Sequence, residues 1–221
     1  MKGIAKALRE LLDGDVPDFV KWTDADWEDQ DARVHEARLR EAADPAAAAR
    51  RELLSTGWAE RVLDSAANAD ERQPAITFVK SWGVEANSAL VLSGPIGSGK
   101  TTAAAWWAMH RRPSTRFLRA AEFATMSRYD AEARQRWADA RALVLDDLGT
   151  EYLDAKGSFL VDLDELVDRF YAHRRPLLIT TNCTRDEFRR RYGERVYDRL
   201  RECGAWKSAS GESLRRRRSS R

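Results

Sequence analysis

The sequence contains little cysteine and no long apolar stretch. These two features argue against a disulfide-stabilised protein and against a membrane protein. Its two cysteines, Cys183 and Cys203, form no Cys-x-x-Cys pair and have no histidine close to them in the chain. This pattern argues against a disulfide framework and against a structural zinc site. No run of about eighteen apolar residues suggests a membrane helix, and the first residues lack the apolar core of a signal peptide. We therefore expect a soluble, cytoplasmic protein.

The small net charge of +2 conceals an uneven distribution along the 221 residues. Residues 1–73 carry 11 basic and 17 acidic side chains, whereas residues 74–221 carry 27 basic and 19 acidic ones. An acidic segment suits contact with a protein, and a basic one suits a polyanion. We therefore predict an acidic, helical, partner-binding region over residues 1–73 and a second domain over residues 74–221.

The aromatic residues of the acidic region leave two interpretations open. Residues 13–31 place Trp22 and Trp27 among carboxylates, and residues 32–54 have the Ala, Arg and Glu content of a strong helix, interrupted at Asp44-Pro45. The two indoles either form a small core within a helical appendage or anchor a docking surface with a charged rim.

From Pro74 onward, short apolar runs alternate with helical segments. The predicted strands are Ala89–Ser93, Thr115–Leu118, Ala142–Leu145 and Leu177–Thr180. The predicted helices cover residues 101–110, 122–140, 159–172 and 185–202, the last with a possible interruption at Gly193. The third strand is apolar throughout, as expected of a parallel strand covered on both faces. This alternation predicts an α/β fold with a central parallel sheet.

The most informative stretch is Gly94–Thr101, with the sequence Gly-Pro-Ile-Gly-Ser-Gly-Lys-Thr, which separates the first strand from a helix. It matches the phosphate-loop pattern G-x-x-x-x-G-K-[ST] in the required setting. The glycines allow backbone N–H groups and the helix start to form an anion cradle. We predict that Lys100 reaches the β- and γ-phosphates of a nucleoside triphosphate and that the Thr101 hydroxyl binds Mg²⁺. The expected nucleotide-binding residues are Gly94, Pro95, Ile96, Gly97, Ser98, Gly99, Lys100, Thr101 and Thr102.

Polar residues end two of the later strands. Asp146 is the first acid after the third apolar run, where a phosphate-loop enzyme needs a carboxylate to hold hydrated Mg²⁺. Asp147 can orient and deprotonate an attacking water, although Asp-Asp-Leu-Gly also suits a turn. Asn182 follows the fourth strand, where its amide can hydrogen-bond the γ-phosphate or the water, although asparagine is common at strand ends.

In their order along the chain, these segments resemble the DnaC/IstB-type AAA+ ATPases, which include bacterial and phage helicase loaders and transposition helper proteins. The resemblance extends from Pro74 to Arg218 and is carried by residues 94–101, 143–149, 169–171, 176–182 and 192–200. It implies a lidless AAA+ phosphate-loop NTPase domain, preceded by a small helical region, that hydrolyses ATP with Mg²⁺. It also implies that Asp146 and Asp147 are the Walker B pair and that Asn182 is the sensor 1 residue.

The same resemblance assigns roles to three arginines. Arg195 and Arg199 correspond to the box VII arginines, and Arg199 to the arginine finger that reaches the γ-phosphate bound by a neighbouring subunit. A rigid guanidinium supplied in trans can neutralise charge on the transferred phosphoryl group; salt bridges to Glu194 and Asp198 are the alternative. Arg215, in a Gly-x-Ser-x-Arg segment, is the sensor 2 candidate. The basic residues after it equally suit a tail attracted to phosphate backbones.

The resemblance finally implies partners and leaves other functions open. The partners are a replicative DNA helicase, bound through residues 1–73, single-stranded DNA, and further copies of the ATPase domain. DNA contacts are expected at Arg128, Tyr129, Arg134, Arg136 and Trp137, whose alternation with acidic residues equally fits a solvated helix. The alternatives are an IstB-like transposition helper, a metabolic phosphotransferase with a second small-molecule pocket, and a nucleotide-gated binding module with negligible hydrolysis.

Overall fold

The computed structural model describes residues 29–33, 44–82, 89–112, 114–126, 131–153 and 157–209. The chain forms two compact units, Met1–Ala48 and Ala49–Arg221. In the first unit, residues 29–33 are helical, and Arg33 pairs with Asp29 one turn away at 2.9 Å. Trp22 and Trp27, on which the interpretation of the acidic region depends, lie outside the described residues.

Helices and strands alternate through most of the second unit. In chain order they are α1 (Pro45–Ser55), α2 (Glu60–Ala67), α3 (Pro74–Ser81), β1 (Ala89–Ser93), α4 (Lys100–Arg111), β2 (Arg116–Arg119), α5 (Ala120–Thr125), α6 (Ala131–Ala138), β3 (Leu143–Leu148), α7 (Ser158–Ala172), β4 (Leu177–Thr181), α8 (Arg185–Tyr192), α9 (Glu194–Glu202) and β5 (Gly204–Ser208). The described part of the chain contains no helix with the length and apolar character of a membrane span.

The five described strands form one sheet in the order β2-β3-β4-β1-β5, and all neighbouring strands are parallel. The predicted α/β fold with a central parallel sheet is therefore confirmed. Because β4 lies between β1 and β3, the carboxyl ends of these three strands meet at one edge. Thr181 is in register with Ser93 on one side and with Leu148 on the other. This edge is where ligands bind in open α/β sheets.

Two segments differ from the expectation. The sheet contains a fifth strand, β5, beyond the four that were predicted. Its first residue, Gly204, lies so close to β1 that a Cβ there would be 2.0 Å from the Ala89 carbonyl oxygen. The helix expected over residues 122–140 is divided, because α5 ends at Thr125 and Met126 has an extended backbone. The interruption at Gly193 is confirmed: with φ 87° and ψ 163°, it separates α8 from α9.

Helices cover both faces of the sheet, since alternate residues of each strand face opposite sides. In β1, Leu90 and Leu92 belong to a core built with α2, α3 and α4, whereas Ala89 and Val91 belong to a core built with α7, α8 and α9. The first core is rich in tryptophan: it contains Trp58, Trp82, Trp106 and Trp107. The continuous apolar run of β1 is the consequence of this double coverage.

Residues 49–73 belong to the second unit, although the charge pattern grouped them with the acidic region. Leu53 and Leu63 are fully buried in the tryptophan-rich core. Trp58 packs on Phe117 of β2 at 4.6 Å between ring centroids, and its indole N–H donates to the Thr115 carbonyl oxygen at 2.9 Å. The compact units divide after Ala48, and buried apolar anchors hold residues 49–73 within the second unit despite their charged exposed side. The partner-binding region predicted over residues 1–73 stays a prediction.

Candidate nucleotide-binding site

The loop between β1 and α4 has the backbone geometry that its glycines predict. Gly94, Gly97 and Gly99 have φ values of 151°, 86° and 83°, which favour glycine. Gly94 also lies against the backbone that follows β5: a Cβ there would be 2.4 Å from the Ala209 carbonyl oxygen. The Ala209 amide donates to the Ser93 carbonyl oxygen at 2.7 Å, which fixes the start of the loop.

Lys100, the first residue of α4, is only 5% exposed and folds back over the loop. Its Nζ donates to the carbonyl oxygens of Gly94 at 2.8 Å and Pro95 at 3.0 Å, and to Oδ1 of Asn182 at 2.9 Å. Burial lowers the pKa of this amine, while the two aspartates at the end of β3 act in the opposite direction. One ammonium group thus joins the loop to the residue after β4.

Asp146 is 4% exposed and accepts two hydroxyl hydrogen bonds on one carboxylate oxygen. Thr101 donates to Oδ1 at 2.9 Å and Thr180 donates to the same atom at 2.7 Å. Burial raises the pKa of Asp146 to about 6, and the charge of Asp147 adds to the rise, while the two hydroxyl groups oppose it. A buried carboxylate of this kind favours a bound cation, which would stabilise its ionised form.

Asp147 is exposed and has an uncommon backbone, with φ 56°. Its amide donates to Oγ1 of Thr180 at 2.9 Å, and the register of β3 against β4 shifts between Leu145 and Leu148. Such an irregularity redirects a side chain out of the regular alternation of a strand. Aspartate tolerates left-handed φ values better than most residues, and such strained positions are concentrated at functional sites.

The residues present fit a triphosphate with Mg²⁺. Mg²⁺ in phosphate-transfer sites takes one or two protein oxygens together with phosphate oxygens and waters, and Thr101 and Asp146 place two such oxygens 2.9 Å apart. The loop hydroxyl of Ser98 is shielded from solvent and has no hydrogen-bond partner within the described structure. It is therefore free to donate to an anion at the positive end of α4.

Hydrogen bonds and a close backbone approach join the ends of β3 and β4 beside this site. The Thr181 hydroxyl donates to the Leu148 carbonyl oxygen and accepts from the Cys183 amide at 3.0 Å. Gly149 approaches so closely that a Cβ would be 2.9 Å from the Cys183 sulfur. Asn182 is therefore held between two anchored residues.

The predicted arginines of α9 contact α7 instead of the acids on their own helix. Arg199 donates from Nη1 to Asp164 at 2.8 Å and from Nη2 to Asp168 at 2.7 Å, and Arg195 lies 3.3 Å from Asp164. Glu194 and Asp198, the partners in the alternative interpretation, pair with Arg189 and Arg201 respectively. Arg215 lies outside the described residues.

The segment expected to contact DNA is only partly described. Arg134 pairs with Asp162 of α7 at 2.5 Å, and Trp137 is half-buried with the Arg116 guanidinium 5.9 Å from its ring centroid. Arg136 is exposed, whereas Arg128 and Tyr129 lie outside the described residues.

Two residues of the site were not predicted. Thr180 is the shared partner of Asp146 and Asp147, and its position two residues before Asn182 was the only sequence signal for it. Glu151, four residues after Asp147, has a fully buried side chain. A charged residue in a loop is normally exposed, so no sequence pattern indicated its burial.

Comparisons with known proteins agree with this geometry at the level of the fold. No protein-family model and no curated protein sequence matches the chain. Among solved structures, the DnaC helicase loader matches with 20% identity and a TM-score of 0.57, over 68% of this chain and 99% of that one. DnaI matches with 18% identity and a TM-score of 0.56, over 71% and 94%. The replication initiator DnaA, solved with AMPPCP and single-stranded DNA, matches with 15% identity and a TM-score of 0.51, over 62% and 45%.

These matches confirm the predicted AAA+ phosphate-loop NTPase fold and its likeness to the DnaC-type proteins. At identities of 20% and below they establish the fold alone. The role of each site residue therefore depends on the geometry of this chain.

Proposed function

We propose that the protein is an ATPase that loads or remodels a replicative DNA helicase. The observation that carries the proposal is the pair of contacts that join the phosphate loop to two neighbouring strand ends, Thr101 to Asp146 and Lys100 to Asn182. In the second contact, the amine that would bind the γ-phosphate donates to the residue that would sense it, which supports the proposal. The likeness of the fold to a helicase loader and to a replication initiator supports DNA replication as the process.

Hydrolysis proceeds by in-line attack of water on the γ-phosphate. Lys100 exchanges its carbonyl and amide partners for phosphate oxygens, which releases the Asn182 side chain to contact the γ-phosphate. Asp147 orients the water and accepts its proton. Thr101 and Asp146 would hold Mg²⁺, which would supply neutralisation of charge on the phosphates. Since aspartate is shorter than glutamate, turnover is expected to be slow, which suits a switch.

The site is completed by a second subunit in this proposal. Arg199 of one protomer reaches the γ-phosphate bound by the next, and Arg195 on the same helix assists. Arg215 follows Ala209 by six residues, and Ala209 lies against Gly94. The chain that leads to Arg215 therefore starts beside the phosphate loop, which supports a nucleotide-sensing role for Arg215. The acidic N-terminal region binds the helicase, and ATP controls the binding and release of single-stranded DNA.

The proposal is tested by turnover and assembly measurements on the full chain. ATP hydrolysis is measured with and without single-stranded DNA, alongside Lys100→Ala, which should abolish binding, and Asp147→Ala, which should bind ATP without turnover. Size-exclusion with light scattering then follows association with the replicative helicase of the same host, with and without ATP. Absence of ATP binding, or capture of a transposase in place of the helicase, would contradict the proposal.

A further inference from the structure

Glu151 is a carboxylate buried in a place where a loop residue is normally solvated. It lies two residues beyond Gly149, at the end of β3, and its side chain is fully buried. Charged side chains are seldom buried unless all their polar atoms are satisfied. Here both carboxylate oxygens are used, and each is directed to a different part of the site.

One oxygen binds the strand end and the other binds α8. Oε2 accepts from the Gly149 amide at 2.7 Å. Oε1 accepts from the Tyr192 hydroxyl at 2.7 Å and from Nε of Arg191 at 3.0 Å. Nη2 of Arg191 also donates to the backbone carbonyl oxygen of Glu151 at 2.7 Å. Burial and the hydrogen bond to Glu151 raise the pKa of the Tyr192 hydroxyl, while Arg191 opposes the rise, and the group remains a donor at neutral pH.

Helix α8 is thereby bonded at its last turn to the residue that follows the end of β3, and its first turn follows β4 closely in the chain. Its first turn is closed by a capping box between Thr184 and Glu187, directly after Asn182 and Cys183. Its last two residues, Arg191 and Tyr192, bind Glu151. We expect an eight-residue helix fixed in this way to move as one body with the ends of β3 and β4.

Gly193, the residue that follows α8, connects this helix to the arginines of α9. Gly193 has a φ of 87° and joins α8 directly to α9, which carries Arg195 and Arg199. A displacement of the Asp147 or Asn182 segments on nucleotide binding would therefore reach, through α8, the helix that carries the arginine-finger candidate. Glu151 is the side chain through which the end of β3 takes part in this connection.

We propose that Glu151 is a positioning residue that couples the nucleotide state of its own subunit to the placement of Arg199 on α9. The inference rests on the proposed function. A purely stabilising role is the weaker account of the cluster, because a buried ion pair adds little stability compared with apolar packing and is better suited to fixing one arrangement. Neutralising Glu151 should then change the response of α9 to nucleotide more than it changes the affinity for nucleotide.

The test compares Glu151→Gln with a destabilised control, Trp58→Phe, which removes a buried hydrogen bond to Thr115 in the opposite core. Hydrogen exchange is followed with and without Mg²⁺ and ATPγS, together with ATP turnover and thermal unfolding. In the wild type, nucleotide should protect the amides of the phosphate loop and change exchange in α9. In Glu151→Gln, loop protection and KM should stay within about threefold, the α9 response should be lost, and kcat should fall by about tenfold or more.

The outcomes distinguish failure of the coupling role of Glu151 from failure of the proposed function. If nucleotide protects the wild-type loop but leaves α9 unchanged, or if Glu151→Gln only lowers the melting temperature as Trp58→Phe does, the coupling role of Glu151 is wrong while nucleotide binding stands. If nucleotide does not protect the loop of the wild type at all, the proposed function itself fails and the inference fails with it. Loss of the α9 response in Glu151→Gln alone supports the coupling.

Discussion

Arg199 donates to Asp164 across the contact between α9 and α7 at 2.8 Å, while its second Nη atom lies 2.7 Å from Asp168. Its side chain is 19% exposed. The guanidinium that would act on a neighbouring subunit's nucleotide is thus already paired with two carboxylates in a single chain. To reach a phosphate it must give up at least one of them, so Asp164 and Asp168 compete with the neighbour's nucleotide.

Removing that competition should favour activity at low protein concentration. We expect Asp164→Asn with Asp168→Asn to lower the protein concentration at half-maximal ATP turnover by about threefold, because each partly exposed ion pair contributes at most about 1 kcal/mol. Turnover measured over a dilution series tests this. Asp198→Asn, which removes the exposed pair with Arg201, is the matched control. A higher midpoint in the double variant would mean that the two carboxylates hold Arg199 in its active position.

Mixing two inactive variants should restore activity if Arg199 acts in trans. Arg199→Ala keeps its phosphate loop, and Lys100→Ala keeps its arginine, so an interface between them contains one complete site. Each variant alone should lose about a hundredfold or more in kcat, as expected for an arginine finger and a phosphate-loop lysine. Turnover of the equimolar mixture should exceed either alone by at least about tenfold. A mixture as inactive as its components would exclude action between subunits.

Asp146→Asn should stabilise the nucleotide-free protein at neutral pH while abolishing hydrolysis. Burial raises the pKa of Asp146 from 3.8 to about 6, so the folded state binds the proton more tightly than the unfolded state does. The contribution of Asp146 to stability is then highest below about pH 4 and falls as the pH rises through 6. The substitution removes a cost of roughly 3 kcal/mol at pH 8 and only about 0.5 kcal/mol at pH 4.

Urea unfolding without nucleotide or divalent cation, at both pH values, measures this gain. Asp198→Asn, which neutralises a carboxylate of α9 paired only with Arg201 among the ion pairs of the described residues, is the control. An equal gain at the two pH values would show that the charge of the Asp146 carboxylate is not its source.

Gly94→Ala should disrupt the phosphate loop more than an equally strained glycine elsewhere. Gly157 also has a positive φ, of 68°, but a Cβ there would meet no atom within 4 Å, whereas a Cβ on Gly94 would collide with the Ala209 carbonyl oxygen. Gly157→Ala should cost about 1 kcal/mol of stability and leave ATP affinity unchanged. Gly94→Ala should weaken ATP binding by at least about tenfold, as measured by titration calorimetry. Equal ATP affinities in the two variants would show that the contact with Ala209 does not shape the site.

The sheet and the phosphate loop were predictable because their signals are local. The β1 strand is a nearly continuous apolar run, and the phosphate-loop pattern predicts both the backbone geometry of the loop and the position of Lys100. The approach of Thr101 to Asp146 also followed, since the carboxyl ends of parallel strands meet at one edge.

What could not be predicted depends on contacts between distant segments. Trp58 stands among charged residues, yet it is buried against Phe117 of β2. Arg199 has acids on its own helix but pairs with α7, because the packing of α9 on α7 brings Asp164 closer. Glu151 is buried only because α8 covers it. Each of these contacts depends on how helices pack on the sheet. The residue pattern within a single segment does not predict that packing.

The buried carboxylate of Asp146 also has a consequence for the persistence of the protein in a cell. Without a cation beside it, its charge works against the folded state at neutral pH. Ligands that bind only the folded form reduce the population open to proteases. Nucleotide supply would thus set how long each molecule survives as well as how often it acts, and limited proteolysis with and without Mg²⁺ and ATP would reveal the difference as a longer half-life of the bound chain.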